Sequence, residues 1–356
     1  MNIGIHFIFL MRKVNLISLA RGGAEVGPGF YRPDGCGQKD EDASLRNSIK
    51  LKSKPYIILC MKIGVVGSSG LVGEEVVKLL KKSELFEVVI FSRQSQLRFK
   101  GFDLIFLCTP ADVSRELAPR AIRDGARVID LSSAFRKDDD VPLILPAVNG
   151  ALLEKGPMLM ACPNCIVAIL LMVLGPLHNA FKVKRMQIVT YQAASGAGKE
   201  GLLELMENRP PKVFPHPLAN NLFLHESPQM GNGYSEEEDK IICETKKILD
   251  APDIQVNVRS VRVSALRAHS MAVNVTFEQE PEGALEILAN SPGIQFHPSP
   301  TPKIAEHQED VFYGSVRKDL STEKTLDLWI VGDQLLRGAA LTAVEIATLS
   351  SVFAPL

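Results

Sequence analysis

Two cysteines separated by a proline and an asparagine, Cys162-Pro163-Asn164-Cys165, stand directly ahead of an apolar, helix-like run that begins at Ile166. This puts Cys165 near a helix N-terminus, where unpaired N–H groups and the positive end of the dipole stabilise a thiolate and lower its pKa. A thiolate so placed is a nucleophile at neutral pH, and Cys165 reads as one in preference to an inert buried thiol. The Cys-x-x-Cys spacing also raises a metal and a redox reading. Zinc needs two further ligands, and the chain has no second CxxC and no HxxxH, so no metal is expected. Cys162 reads as a bystander that could at most trap Cys165 as a disulfide.

A second group of residues has phosphate chemistry. Gly67-Ser68-Ser69-Gly70-Leu71-Val72-Gly73 follows a strand and opens a helix, the setting in which glycines let the backbone approach a pyrophosphate. The spacing is GxxGxxG, and the plainer reading is a strand–helix turn. No acidic residue follows the second strand to hold a ribose diol. Ser92-Arg93-Gln94-Ser95 stands there instead, and a cation with hydroxyls favours a 2′-phosphate, hence NADP over NAD. The stretch Ser195-Gly196-Ala197-Gly198-Lys199 fails as a P-loop, because Ala193 replaces the first glycine and Glu200 follows the lysine. His269 shares a strand face with Met271, Val273, Val275 and Phe277, so on pattern alone it is a core histidine as readily as a catalytic one. Arg262 and Arg267 by themselves read as surface charges.

These residues need elements to hold them. Strands are expected at 63–66, 88–91, 104–108 and 128–131, with helices at 71–82 and 113–125 between them, which implies a parallel sheet with crossover helices. Beyond Pro163 the pattern gives a helix from Ile166, a strand at 188–192, a helix at 202–207, loop through the Pro/His/Asn-rich 209–221, a charged helix at 236–249, and strands at 255–265 and 269–277. A strong helix closes the chain over 333–353. Residues 1–60 show no sustained period and read as an extension ahead of Met61, expected to be dispensable.

The 40 Lys+Arg balance 41 Asp+Glu, so composition gives no support for binding to nucleic acid or to anionic membranes. Six cysteines at irregular spacing in 356 residues are no disulfide scaffold and point to a reducing, cytoplasmic setting. The apolar run 166–174 is too short to span a bilayer, which takes about 20 residues.

Taken in order, the glycine turn, IDLSSAFR at 129–136, PNC at 163–165, QAASGAG at 192–198, YSEEEDK and ETKKI within 234–248, the Arg262 to His269 segment and VGDQLLRGAAL at 331–341 resemble the aspartate-β-semialdehyde dehydrogenase family. The resemblance covers nearly all of 61–356. It implies an α/β protein with a Rossmann-type dinucleotide-binding domain over 61–162, completed by 333–356. It also implies a glyceraldehyde-phosphate-dehydrogenase-like α+β catalytic and dimerisation domain over 163–332, and a homodimer or tetramer. By the same resemblance Cys165 attacks the acyl carbon, Gln192 orients the acyl group and His269 is the general acid/base. Arg262 grips the substrate carboxylate, Glu237 meets its ammonium, and Arg136 and Lys240 hold phosphate. Asn164 also meets substrate, its side chain joining the Cys165 N–H as a candidate oxyanion hole. NADP is held at Gly67 to Gly73, Ser92, Arg93, Ser195, Gly196 and Gln334.

The implied reaction reduces L-aspartyl-4-phosphate to L-aspartate 4-semialdehyde with NADPH. Four residues depart from the family pattern: Ile166 after PNC, Ala147 before VN, Gln334 in place of Asn where a nicotinamide contact is expected, and Thr342 in place of another Asn. The segment 92–102 is also shorter than the family's. N-acetyl-γ-glutamyl-phosphate reductase is the nearest alternative, and the acidic Glu237 and the PNC segment speak against it. Intact Cys165 and His269 speak against a catalytically silent NADP-binding homologue.

Overall fold

The computed structural model of the chain describes residues 61–92 and 97–352. The expected extension over 1–60 and Arg93 lie outside them. Five short strands build the first sheet: β1 (Met61–Val66), β2 (Phe86–Phe91), β3 (Leu104–Leu107), β4 (Arg127–Asp130) and β5 (Leu159–Ala161). Their order is β2-β1-β3-β4-β5, and every pairing is parallel. Two crossover helices, α1 (Leu71–Leu80) and α2 (Ala111–Arg123), connect β1 to β2 and β3 to β4. Ile63, Val65, all of β3, Val128 and Ile129 are fully buried, which a parallel sheet covered on both faces requires.

The second sheet carries seven strands in the order β10-β11-β12-β9-β6-β8-β7. They are β6 (Val183–Gln192), β7 (Leu222–Leu224), β8 (Gln255–Val263), β9 (His269–Phe277), β10 (Ile294–Phe296), β11 (Val311–Lys318) and β12 (Thr325–Gly332). The sheet is mixed: β6 pairs parallel with β8 and β10 with β11, and the other pairings are antiparallel. Its longer helices are α3 (Cys165–Phe181), α4 (Gly198–Met206) and α5 (Glu236–Leu249).

Helix α3 is buried almost all round; every residue from Ile166 to Leu174 is at most 4% exposed. It packs on β6, β9, β11 and β12 on one side and on α5 on another. Each buried Ile, Leu or Val contributes about 1.5–3 kcal/mol, so the helix that presents Cys165 is fixed from several sides.

The closing helix begins later than its composition suggests. Asp333 accepts from the N–H groups of Leu335 and Leu336, a π turn covers Leu336–Ala340, and regular helix α6 runs over Leu341–Val352. Leu336, Ala340, Ala343, Ile346 and Ala347 share one core cluster with Met61, Ile63 and Val65 of β1, so the closing helix returns to the first sheet. The π turn widens the helix where Gly338 meets Cys165, since a Cβ on Gly338 would lie 2.9 Å from the Cys165 Cβ.

Candidate active site

Asn164 is the N-cap of α3 and its side-chain oxygen accepts from the Ile166 N–H at 2.8 Å. That bond sets Cys165 as the first helical residue, half-buried, with a free thiol. The Asn164 amide nitrogen donates to Glu237 at 2.9 Å, and its backbone N–H donates to Glu244 at 2.6 Å. Most of Asn164's hydrogen-bonding capacity is therefore used in holding the nucleophile's turn.

Helix α5 faces this turn with residues at a helical spacing. Ser235 caps it through a capping box, and Glu237 and Glu244, two turns apart, are both buried on the same face. Glu244 pairs with Arg136 at 3.3 Å, and Arg136 also donates to the Leu131 carbonyl at 2.9 Å. The Arg136 Nε is buried without a partner, a donor suited to an anion. Glu237 makes no ion pair among the described residues, so a buried carboxylate without a cation partner acts on the thiol. Lys240, one turn on, is half-buried.

Burial and the Glu237 carboxylate push the Cys165 thiol up to about 12, against the pull of Arg136 and Arg262. The sequence leads to the opposite expectation, a lowered pKa from the helix N-terminus. Here the helix is outweighed by desolvation and a neighbouring negative charge. Cys162 is buried and its thiol is likewise pushed to about 12, chiefly by burial.

The other wall is the edge of the second sheet. One residue, Ala193, orders it. Its N–H donates to His269 Nδ1 at 3.0 Å, and its carbonyl accepts from Arg262 Nη1 at 2.7 Å. Because His269 Nδ1 accepts, the neutral ring carries its proton on Nε2, and that nitrogen is buried without a partner. Burial and the Arg262 charge hold His269 well below the usual imidazole range. A Cβ on Gly196 would lie 3.0 Å from Arg262 Nη1 and 3.1 Å from His269 Nε2, so glycine leaves open the space into which both groups point. Gln192 is buried at the end of β6, its amide donating to Thr190 at 3.3 Å.

Neither arginine of the 262–269 segment is on the surface. Arg262 is 1% exposed and forms a two-pronged pair with Glu226 at 2.5 and 3.1 Å. Arg267 joins Asp333 at 2.6 Å and Glu75 of α1 at 3.1 Å, tying the glycine-turn helix to the second sheet. Arg262 is buried and Arg267 largely covered because carboxylates from distant segments neutralise them. Glu226, Glu244, Ala193 and Gly338 complete the site, and sequence reading assigned none of them a role. A signal existed for Glu244 alone, in its spacing from Glu237.

The glycine turn has the geometry a dinucleotide needs. Gly67 takes φ +83°, and a Cβ there would run into the Cys108 carbonyl. A Cβ on Gly73 would lie 2.8 Å from the Ser68 Cα, so helix and turn close on each other only without side chains. Gly70 provides no side-chain cap, which leaves the first N–H groups of α1 (Leu71, Val72) at an exposed turn with Ser69. Ser92 follows the last residue of β2 and is exposed.

The Gln334 amide is engaged at both ends within the fold. It accepts from the Ala268 N–H at 2.8 Å and donates to Ser195 Oγ at 2.5 Å, and Ser195 in turn donates to the Leu266 carbonyl at 2.6 Å. The Gln334 amide thereby clamps Ala268, which sits at φ +68° immediately before His269. Replacing Gln334 by alanine leaves the buried Ala268 N–H without an acceptor, at a cost of about 1–3 kcal/mol. The expected result is a lower urea midpoint with an unchanged m value; an unchanged midpoint would show that the clamp carries no stability.

Comparison with known proteins agrees with this geometry. Residues 94–155 match the semialdehyde dehydrogenase NAD binding domain, and residues 174–337 match the semialdehyde dehydrogenase dimerisation domain. The aspartate-semialdehyde dehydrogenase of Prochlorococcus marinus is 36% identical over 335 residues, covering 83% of this chain and 97% of its own. That of Bacillus subtilis is 33% identical over 334 residues, covering 81% and 96%. Among solved structures, aspartate semialdehyde dehydrogenase II of Vibrio cholerae, complexed with ASA, aligns at a TM-score of 0.77 and 29% identity over 81% of this chain and 97% of that one. With a parallel NAD-binding sheet, a mixed dimerisation sheet and relatives matched along nearly their whole length, the chain belongs to the aspartate-semialdehyde dehydrogenase family.

Proposed function

We propose that the enzyme reduces L-aspartyl-4-phosphate to L-aspartate 4-semialdehyde with NADPH, through a thioacyl intermediate on Cys165. The observation that carries this reading is the convergence on one thiol of two arginines and a buried carboxylate without a cation partner. A substrate bearing phosphate, carboxylate and ammonium groups matches that charge set. An acetylated amine would leave Glu237 buried and unanswered. NADP(H) bound at Gly67 to Gly73 supplies the hydride.

The roles of the chain's own residues follow. Arg136 with its free Nε, joined by Lys240, holds the phosphate. Arg262 holds the carboxylate as a fork. Glu237 receives the ammonium and, once paired, no longer opposes ionisation of Cys165. The Cys165 thiol gives up its proton to solvent, and the sulfur adds to the acyl carbon as the carbonyl pair moves to oxygen; when this tetrahedral species collapses the carbonyl re-forms, the carbon–oxygen bond to phosphate breaks, and phosphate leaves with that electron pair. The His269 Nε2–H and the Cys165 N–H stabilise the oxyanion of each tetrahedral species. Collapse of the second re-forms the carbonyl and returns the thiolate. Gln192 bounds the acyl group. We assign 61–162 with 333–356 to cofactor binding and 163–332 to catalysis and dimerisation, in a cytoplasmic homo-oligomer. Preference for NADP rests on Ser92 and Arg93.

The test is reduction of NADP by L-aspartate 4-semialdehyde, with and without phosphate, followed at 340 nm. Phosphate-dependent turnover is expected, with kcat/KM for NAD lower by about tenfold or more. Folded protein without such turnover would refute the reading.

A further inference from the structure

Arginine has five N–H donors, and in Arg262 the protein already directs three of them to acceptors. Nε and Nη2 go to the two oxygens of Glu226 at 3.1 and 2.5 Å and Nη1 goes to the Ala193 carbonyl at 2.7 Å, while His225, whose Nδ1 accepts from the Ser227 N–H, stands with Nε2 2.8 Å from Nη2. The two-pronged edge that a ligand carboxylate needs is therefore held by a carboxylate of the chain itself. We propose that Glu226 is an internal stand-in for the substrate's carboxylate, exchanged for it on binding, and that it thereby sets the requirement for a carboxylate-bearing substrate. This rests on the reading of Arg262 as the carboxylate anchor.

The placement of Glu226 is built into the fold. Phe223 of β7 pairs with Arg262 of β8, and the His225 N–H continues that pairing to the Ser260 carbonyl at 2.9 Å. On the other side Ser227 is tied to α5 through the Glu237 N–H at 3.2 Å. Residue 226 is thus pinned between two anchored neighbours, with its backbone set and its side chain pointed at the guanidinium. Arg262 is 1% exposed whereas the Glu226 side chain is 19% exposed, so the carboxylate has a route to solvent that the arginine lacks. A buried guanidinium left unpaired is strongly disfavoured. A second carboxylate of the same geometry removes that penalty, and a ligand without one does not. An aldehyde lacking the carboxylate therefore finds Arg262 closed, while the true substrate pays a displacement cost that weakens its apparent affinity.

The experiment is steady-state kinetics with L-aspartate 4-semialdehyde and with 3-aminopropanal, the same aldehyde without its carboxylate, on wild type, Glu226→Gln, Arg262→Lys and the double variant. Glu226→Gln is expected to lower KM for the carboxylated aldehyde by about fivefold or more, to move kcat less than KM, and to leave 3-aminopropanal unchanged. The gain disappears in the double variant. Arg262→Lys alone is expected to raise KM for the carboxylated aldehyde about tenfold or more. If Arg262→Lys leaves that KM unchanged, the anchor reading fails and the proposal falls with it. If Arg262→Lys raises KM but Glu226→Gln raises it too, leaves it alone, or lowers it equally for both aldehydes, the anchor stands and the stand-in is refuted. Glu226→Asp keeps the charge one methylene short, and an intermediate KM is the expected result should the glutamine variant fold poorly.

Discussion

Replacing Cys165 by serine is expected to lower kcat by at least about 10⁴-fold while the protein stays folded and still binds NADP. The substitution leaves the turn intact, because the cap bond from the Ile166 N–H to Asn164 and the burial of Ile166 do not involve the thiol. What it removes is an ionisable nucleophile in a dry site. The ligand-free thiol is itself largely protonated at neutral pH, since burial and Glu237 push it to about 12. Two consequences can be measured. Alkylation of the ligand-free enzyme by iodoacetamide should still be rising with pH at pH 9, where a thiol activated only by a helix N-terminus would already have levelled off. Glu237→Gln removes a negative charge that raises the thiol's pKa, so the variant should be alkylated faster at pH 8 even as its affinity for the ammonium-bearing substrate falls. A plateau below pH 8 in the wild type would contradict this account of the resting site, and turnover by Cys165→Ser within tenfold of wild type would remove Cys165 from the mechanism.

The contrast at Cys165 marks the limit of what the sequence discloses. The element that holds the cysteine is legible, because proline, an N-capping asparagine and an apolar run announce a helix start. The electrostatics are not, because Glu237, Arg136 and Arg262 come from distant segments and only the fold brings them to one thiol. The parallel sheet is equally legible: its apolar strands are short and bounded by turns, and their expected centres at 63–66, 88–91 and 104–108 fall within or against β1, β2 and β3. The second sheet is read only in part. β8 and β9 show alternation and are recovered, and β9 is placed at its observed ends. Half of β6, with Val183, Lys184 and Arg185, is missed because charged residues stand at its start. β11 and β12 are missed too, since Gly314 and a register shift interrupt one and the other has buried residues on both faces. Arg262 and Arg267 look like surface charges for a related reason. A buried cation is recognised by its partner, and Glu226, Glu75 and Asp333 lie between 36 and 192 residues away.

Replacing His269 by glutamine is expected to lower kcat by about 10²–10³-fold, the range for loss of one oxyanion donor. Glutamine is polar and close in size, so the variant tests the ring and not the space. The wild-type ring is held in one tautomer by the Ala193 N–H, and its protonation is opposed by burial and by Arg262. Nε2 therefore carries a proton throughout the working range and serves as the donor to the oxyanion, in the space above Gly196. The same buried neutral ring makes stability depend on pH. In the unfolded chain a histidine takes up a proton near pH 6.5; in the folded chain this one does not, so the unfolded state binds more protons below that pH. Unfolding free energy should consequently fall as the pH drops below about 6.5, by up to about 1.4 kcal/mol per pH unit for each such histidine. His178 and His225 are also lowered, so part of the slope survives the substitution. Urea unfolding at pH 5, 6 and 7 should show a shallower dependence in His269→Gln than in wild type, together with the loss of kcat. An equal slope would mean that the ring is protonated in the fold, and it would then present a different tautomer and charge to the substrate.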